Sequence, residues 1–351
     1  MKKKTSIGTI ISFQTSIQKL KKTVVIFCSL FFLSFSFSNA QAVEKHIAVV
    51  TRPAWSGELE FACRIQKAAT NINWIVDIVD FRDTTIDHIK YDFVICLIPD
   101  AYRSSHTTYL TLFDPKNHFF KETGSLKKEY SSYDGYLVTY KLDPSKRSFD
   151  SISKHAWMPW YPSAQIVPHE KIDPKFLFYV CANWSQRSHD PRYKVLLSLL
   201  DRKPYTRLYG LEHFKTLYPR SYISFIPVDG ESMLQEIQKS GIALVLHSLD
   251  HLDNAIPSGR IFEAVASSSV VICDNNPFVK EHFGSSVLYI EQNTTGPDMF
   301  QQIDKHMNWI LSHKEEAMAM AQKAHEIYIE KFTLENQLLE LEELHNNIVK
   351  K

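Results

Sequence analysis

Short apolar runs alternate with helical patterns along this chain, in two separate series. In the first series His46–Thr51 (HIAVVT), Trp74–Val79 (WIVDIV) and Asp92–Ile98 (DFVICLI) read as strands, with a helix over Glu58–Ala69. In the second, Lys175–Cys181, Thr206–Tyr209, Ser224–Pro227, Ile242–His247, Val270–Asp274 and Val287–Ile290 read as strands. Helices are predicted there over Asp190–Arg202, Gly230–Ser240 and Ser258–Ser267. Brief apolar runs separated by helical stretches build parallel βαβ units. Between the series stands Trp157-Met158-Pro159-Trp160-Tyr161-Pro162-Ser163, whose two prolines break regular structure and suit a rigid connection. The polar, aromatic stretch from Ser104 to Ser148 predicts excursions over the sheet or an extra hairpin, and Met299–Lys350 reads as helical. The 351 residues suffice for two α/β domains joined near residues 157–172.

The N-terminus has a different character. Residues 1–42 hold six lysines and no acidic residue, leaving 34 basic against 39 acidic residues in the remainder. That balance argues against a nucleic-acid binder driven by bulk charge. The lysines precede an apolar run, Val24–Phe37, followed by Ser38-Asn39-Ala40-Gln41-Ala42. A basic region, a short apolar core and small residues at A-x-A spacing read as a secretory signal peptide. An uncleaved anchor with cytoplasmic lysines is the competing reading. Either way the expectation is an exported (periplasmic or secreted) or membrane-anchored protein.

Ten glycines in 351 residues is about half the usual frequency. A Gly-rich phosphate loop is therefore disfavoured, and any phosphate would have to be held by other groups. Cys63, Cys96, Cys181 and Cys273 show no C-x-x-C spacing, so a zinc or redox motif is not expected. No H-E-x-x-H occurs either, and no metal is predicted.

The most informative segment is Ile256-Pro257-Ser258-Gly259-Arg260-Ile261-Phe262-Glu263-Ala264-Val265-Ala266-Ser267-Ser268-Ser269-Val270-Val271-Ile272-Cys273-Asp274. Pro257 and Ser258 start a helix whose free N–H groups and partial positive charge suit a diphosphate. Arg260 in the first turn can fork to phosphate or carboxylate oxygens, and Glu263 shares its face. This segment, with Asn276-Pro277-Phe278-Val279 after it, resembles the nucleotide-binding half of GT-B glycosyltransferases, of the group 1 and spore-maturation-protein-like families. The likeness is clearest over residues 175–292.

That resemblance implies an α/β fold of two Rossmann-like domains facing a cleft, with a helical C-terminal segment. The expected division is a leader (1–42), an acceptor-side domain (43–165), a nucleotide-sugar-binding domain (166–330) and a C-terminal helix (331–351). It implies transfer of a sugar, hexosyl transfer included, from a nucleoside diphosphate donor to an acceptor hydroxyl on a glycan, lipid or protein. The nucleoside diphosphate sugar is then a substrate and no cofactor is expected. Glu263 would hold the ribose hydroxyls, and Ser258, Gly259, Arg260 and the loop residue Arg187 would face the diphosphate. His247, ending a buried strand, stands at the usual address for ligand contacts in an open sheet. A catalytic base for the acceptor hydroxyl is sought in first-domain loops, at Asp114 and His106, with Asp100 also considered. One departure stands out: Ala255 occupies the position where many relatives carry another Glu. Two alternatives stay open. One is a catalytically inactive GT-B-like module that binds a glycan or nucleotide. The other is an exported two-lobed solute-binding protein.

Overall fold

The computed structural model describes residues 44–181 and 189–350; the leader and Arg187 lie outside the described residues. The first sheet is built from β1 (His46–Thr51), β2 (Ile75–Asp80), β3 (Val94–Cys96), β4 (Thr108–Leu112), β5 (Gly135–Val138) and β6 (Ala156–Pro159), in the order β2-β1-β3-β4-β5-β6. The second is built from β7 (Phe176–Val180), β8 (Thr206–Tyr209), β9 (Tyr222–Ser224), β10 (Gly241–Val245), β11 (Val270–Asp274) and β12 (Leu288–Ile290), in the order β12-β11-β10-β7-β8-β9. Both sheets are wholly parallel, with His46 opposite Ile75 in one and Ile242 opposite Val270 in the other.

Parallel strands are covered on both faces, so they read as nearly continuous apolar runs. The side-chain period of two then feeds two cores per sheet. In β10, Ala243 and Val245 enter one core while Ile242 and Leu244 enter the other. In β1, Ile47 and Val49 face one core and Ala48 and Val50 the opposite one. Counted from its own first strand, the second sheet has the nucleotide-type order, and its direction reverses between β7 and β10. Ligands of open α/β sheets bind outside the carboxyl ends of the strands at such a point.

The helices that frame this edge are α1 (Ser56–Asn71), α2 (Pro191–Leu200), α3 (Ser232–Ser240), α4 (Leu249–Asp253), α5 (Gly259–Ala266) and α6 (Pro277–Phe283). They are followed by α7 (Gly296–Ser312), α8 (Lys314–Lys331) and α9 (Leu334–Val349). The last of these returns to the first lobe, where Leu334, Leu338 and Leu341 are fully buried beside Ile47, Val49 and Trp160. At about 1.5–3 kcal/mol per buried leucine, this seam contributes an upper estimate of several kcal/mol. Its first turn also holds the interlobe connection. Gln337 accepts a hydrogen bond from the Tyr161 N–H (2.6 Å), and Glu335 accepts from the Ile166 N–H (2.9 Å).

The stretch from Ser104 to Ser148 is largely irregular, with an antiparallel bridge between Phe120 and Leu126, but it also supplies β4 and β5, two inner strands not expected from the sequence. Beside Leu110, Leu112, Leu137 and Val138 they bury Tyr109 and Tyr136 fully, the two hydroxyls satisfied by His345 (3.1 Å) and the Tyr130 carbonyl (2.7 Å). Trp157-Met158-Pro159, expected in the connection, belongs to the edge strand β6, where a proline is tolerated. The strand expected at Ser224–Pro227 is Tyr222–Ser224 instead. No helix among the described residues is long and apolar enough to cross a membrane.

Candidate functional site

The carboxyl edge of the second sheet is a buried polar layer. His247 follows β10, Asp274 ends β11 and Gln292 follows β12. The Asp274 carboxylate accepts the His247 backbone N–H (2.5 Å) and contacts its ring Nδ1 (2.8 Å). A carboxylate only accepts, so Nδ1 carries the proton. Nε2 is left buried and without a hydrogen-bond partner. Gln292 closes the layer by donating to the His247 carbonyl (2.9 Å). Among the described residues His247, Cys273 and Asp274 are the group that comes within metal-ligand distance of one another. Burial, with the neighbouring Asp274, holds the Cys273 thiol well above its ordinary value, so it stays protonated. In the apo geometry the Asp274 carboxylate and the His247 ring form a buried hydrogen-bonded dyad.

The start of α5 is tied to this edge. The Asn276 side chain donates to the Ile256 carbonyl (2.9 Å) and accepts from Phe278 N–H (2.9 Å), capping α6. Ser258 occupies the expected N-cap position, but its hydroxyl makes no capping bond and is buried without a partner. Gly259 is approached by the interlobe connection: an added Cβ would lie 3.1 Å from the Pro162 carbonyl oxygen.

Glu263, the expected ribose ligand, is 2% exposed and already engaged on both oxygens. Arg260 of the same helix pairs with Oε2. Arg64 of α1 crosses from the first lobe to Oε1, at 2.5 Å. Arg64 in turn is held by Glu60 through Nη2 (3.1 Å) and Nε (3.3 Å). The other Glu60 oxygen accepts the Gly230 N–H (3.0 Å). Burial opposes ionisation of Glu263, but Arg260 and Arg64 more than offset it and hold its carboxyl below the ordinary range. Burial likewise opposes the charge on Arg64, and Glu263 and Glu60 restore it.

The carboxyl edge of the first sheet is more open. Arg52, after β1, pairs with Asp100 (2.5 Å) and lies over the rings of Trp55 and Phe81. Asp114, just beyond β4, is half-buried and faces His118 at 3.8 Å. Burial pushes its carboxyl up, with His118 opposing. Glu58, in the first turn of α1, is also pushed up, by burial and then by the negative charge of Asp114. A cavity of about 530 Å³ in this lobe is lined by Lys116, Asn117, Lys121, Lys127 and Ser148 among others, with neither Asp114 nor Glu58 on its wall.

The two first-lobe candidates do not come together. His106 precedes β4 and so stands at the amino edge, opposite Asp114. Its ring contacts the Ile86 carbonyl (3.2 Å) and packs edge-on against Tyr91. A histidine there cannot share a substrate with Asp114, so His106 is dropped as a catalytic candidate. Sequence reasoning missed Arg64 and Glu60, whose spacing of four on a helix is that of any local ion pair.

Residues 192–343 match the family described as glycosyl transferase-like, a span running from α2 into α9 and including Arg260 and Glu263. No curated protein matches the chain. Among solved structures it is similar to sucrose-phosphate synthase from Thermosynechococcus elongatus, at 10% identity over 88% of this chain and 100% of that chain, TM-score 0.54. It is also similar to Anabaena Alr3699/HepE in complex with UDP and glucose, at 9% identity over 85% and 99% of the two chains, TM-score 0.53. The match to TarM, at 14% identity, spans 75% of this chain but 57% of that one, TM-score 0.48. Two parallel sheets in this order, their carboxyl edges carrying the polar residues, make this a GT-B fold, and within it residues 192–343 match the glycosyl transferase-like family.

Proposed function

We propose that the protein transfers a sugar from a nucleoside diphosphate donor to an acceptor hydroxyl. The observation that carries this reading is the family match over residues 192–343, which spans Arg260, Glu263 and the His247–Asp274 dyad. In the proposed complex the nucleotide lies on the carboxyl edge of the second sheet. The ribose diol donates to Glu263, while Arg260, Arg187 and the N-terminus of α5 face the diphosphate. Those positive groups stabilise the leaving diphosphate, and no metal or cofactor is invoked. The acceptor oxygen forms its bond to the sugar's anomeric carbon as the bond to the phosphate oxygen breaks, and the acceptor proton passes to Asp114. A carboxyl raised by burial is better matched to that proton transfer than a fully solvated one. HepE, crystallised with UDP and glucose, supports a uridine nucleotide as the first donor to test. The leader, in this proposal, exports or anchors the chain.

The test incubates the full chain with UDP-, GDP- and ADP-sugars, following nucleotide release and glycosylated product by mass spectrometry. Release or transfer that is lost in Glu263→Gln supports the assignment; no binding and no turnover with any donor overturns it. A second reading, a nucleotide- or glycan-binding module without transfer, is favoured by Ala255. It is separated by binding without release. A two-lobed solute-binding protein would show no thermal shift with UDP, GDP or ADP.

A further inference from the structure

We propose that Arg64 is a positioning residue that competes with the nucleotide's ribose for Glu263, so that the donor binds only as the two lobes part. The inference rests on the functional reading above and adds a cross-lobe residue to it. A vicinal diol is held best when both carboxylate oxygens accept. Here Oε1 of Glu263 is taken by Arg64 and Oε2 by Arg260, both within a site that is 2% exposed. Arg260 belongs to the same helix as Glu263 and moves with it. Arg64 belongs to the other lobe, so it alone can be withdrawn by lobe motion.

The surroundings show what must move. Gly230 sits so close to α1 that an added Cβ would lie 2.9 Å from the Cys63 carbonyl carbon and 3.1 Å from its Cβ. Glu60 ties the Gly230 N–H, and Lys67 reaches Glu231 at 2.9 Å. Gln165 in the connection donates to the Gly230 carbonyl (2.9 Å). One turn after another of α1 therefore lies on α5 and on the turn before α3. Withdrawing Arg64 from Glu263 means lifting this face, which also uncovers the half-buried Cys63. A ligand shifts such an equilibrium only through its different affinity for the two states, and here the difference is the carboxylate that becomes available.

The test uses the full chain, with UDP, GDP and ADP as probes. Replacing Arg64 alone would leave Glu60 and Glu263 as facing buried carboxylates, so the variant is the double substitution Glu60→Gln with Arg64→Met. Calorimetric titration is expected to show the nucleotide binding about tenfold more tightly to the double variant than to the native chain. Alkylation of Cys63, followed on its own peptide, is expected to accelerate several-fold when nucleotide is added to the native chain. In the double variant it is expected to be fast without nucleotide. Arg64→Lys, which keeps the charge, should behave as the native chain does and controls for folding. Native binding with no tightening in the double variant, or with Cys63 alkylation unchanged by nucleotide, overturns the competition and leaves the functional reading standing. If neither form binds any of the three nucleotides, the functional reading fails and the competition with it.

Discussion

The two lobes share an architecture and differ at the carboxyl edge of the sheet, where the proposed function places their ligands. In the second lobe the edge is closed: His247 and Asp274 are fully buried, Glu263 is nearly so, and most of their polar atoms already have partners. In the first lobe Asp114 is half-exposed and Glu58 partly buried, and both carboxyls are raised mainly by desolvation with little compensating positive charge. A fixed nucleotide tolerates a preorganised, charge-balanced site, whereas proton transfer calls for a carboxyl whose affinity for protons has been lifted. Under the proposed function, the contrast means that the same strand-end position serves binding where its charge is neutralised and chemistry where it is not.

The sharpest way to break the contrast is to remove one charge from each edge. Glu263→Ala leaves Arg64 and Arg260 without their shared carboxylate in a buried site, and should cost about 3–5 kcal/mol, measured by urea unfolding. Asp114→Asn should instead leave stability within about 0.5 kcal/mol while lowering transfer by roughly 10²- to 10⁴-fold. A destabilisation by Asp114→Asn as large as that of Glu263→Ala would show that the first edge is no less structural than the second.

Acid should separate the edges more gently. His325 of α8 is buried with Nδ1 donating to the Val265 carbonyl (2.9 Å), and His345 of α9 is buried against Tyr109 of the first lobe. Desolvation holds both below the ordinary histidine value of 6.5. The unfolded chain then binds these protons more readily than the folded one. Stability is thus fully present above about pH 6.5 and falls as the pH drops toward the lowered folded values, with a slope of up to about 1.4 kcal/mol per pH unit for each histidine. The depressed Glu263 carboxyl adds its own loss only further down, as the pH falls below the ordinary glutamate value of 4.5. Denaturant midpoints measured from pH 8 to pH 4 should show this decline. His345→Gln should flatten its upper part, and an unchanged profile would remove the histidines as its cause.

The second lobe was the more legible in sequence. Its strands are plain apolar runs, such as IALV and VVIC, and the order of charges in Ser258–Glu263 carried the family likeness. β4 and β5 were missed because Tyr, Thr and Gly dilute their hydrophobicity, and a tyrosine enters a core only when some distant group satisfies its hydroxyl. The Arg64–Glu263 pair was hidden for a related reason. It joins residues nearly two hundred positions apart, and nothing local to Glu60-x-x-x-Arg64 distinguishes a helix face turned to another lobe from one turned to water. The His247–Asp274 dyad was half visible: each residue ends a recognisable strand, and only the parallel pairing of β10 with β11 makes them neighbours.

The smallest expected effect sharpens the comparison within α1 itself. Lys67 lies three residues beyond Arg64 and also reaches the second lobe, at 2.9 Å from Glu231, but these side chains are 39% and 52% exposed. Water screens such a pair and holding two long side chains in register costs entropy, so Lys67→Ala should cost only about 0–1 kcal/mol. Raising the salt should abolish even that, because exposed charges are screened within about a Debye length while a dry pair is not. Arg64 and Lys67 therefore form an internal control: the same helix, the same boundary and the same bond type, differing in burial. If Lys67→Ala destabilised the protein or loosened Cys63 as much as the Arg64 double variant does, closure would depend on the number of charges crossing the boundary rather than on the dryness of the one at Glu263.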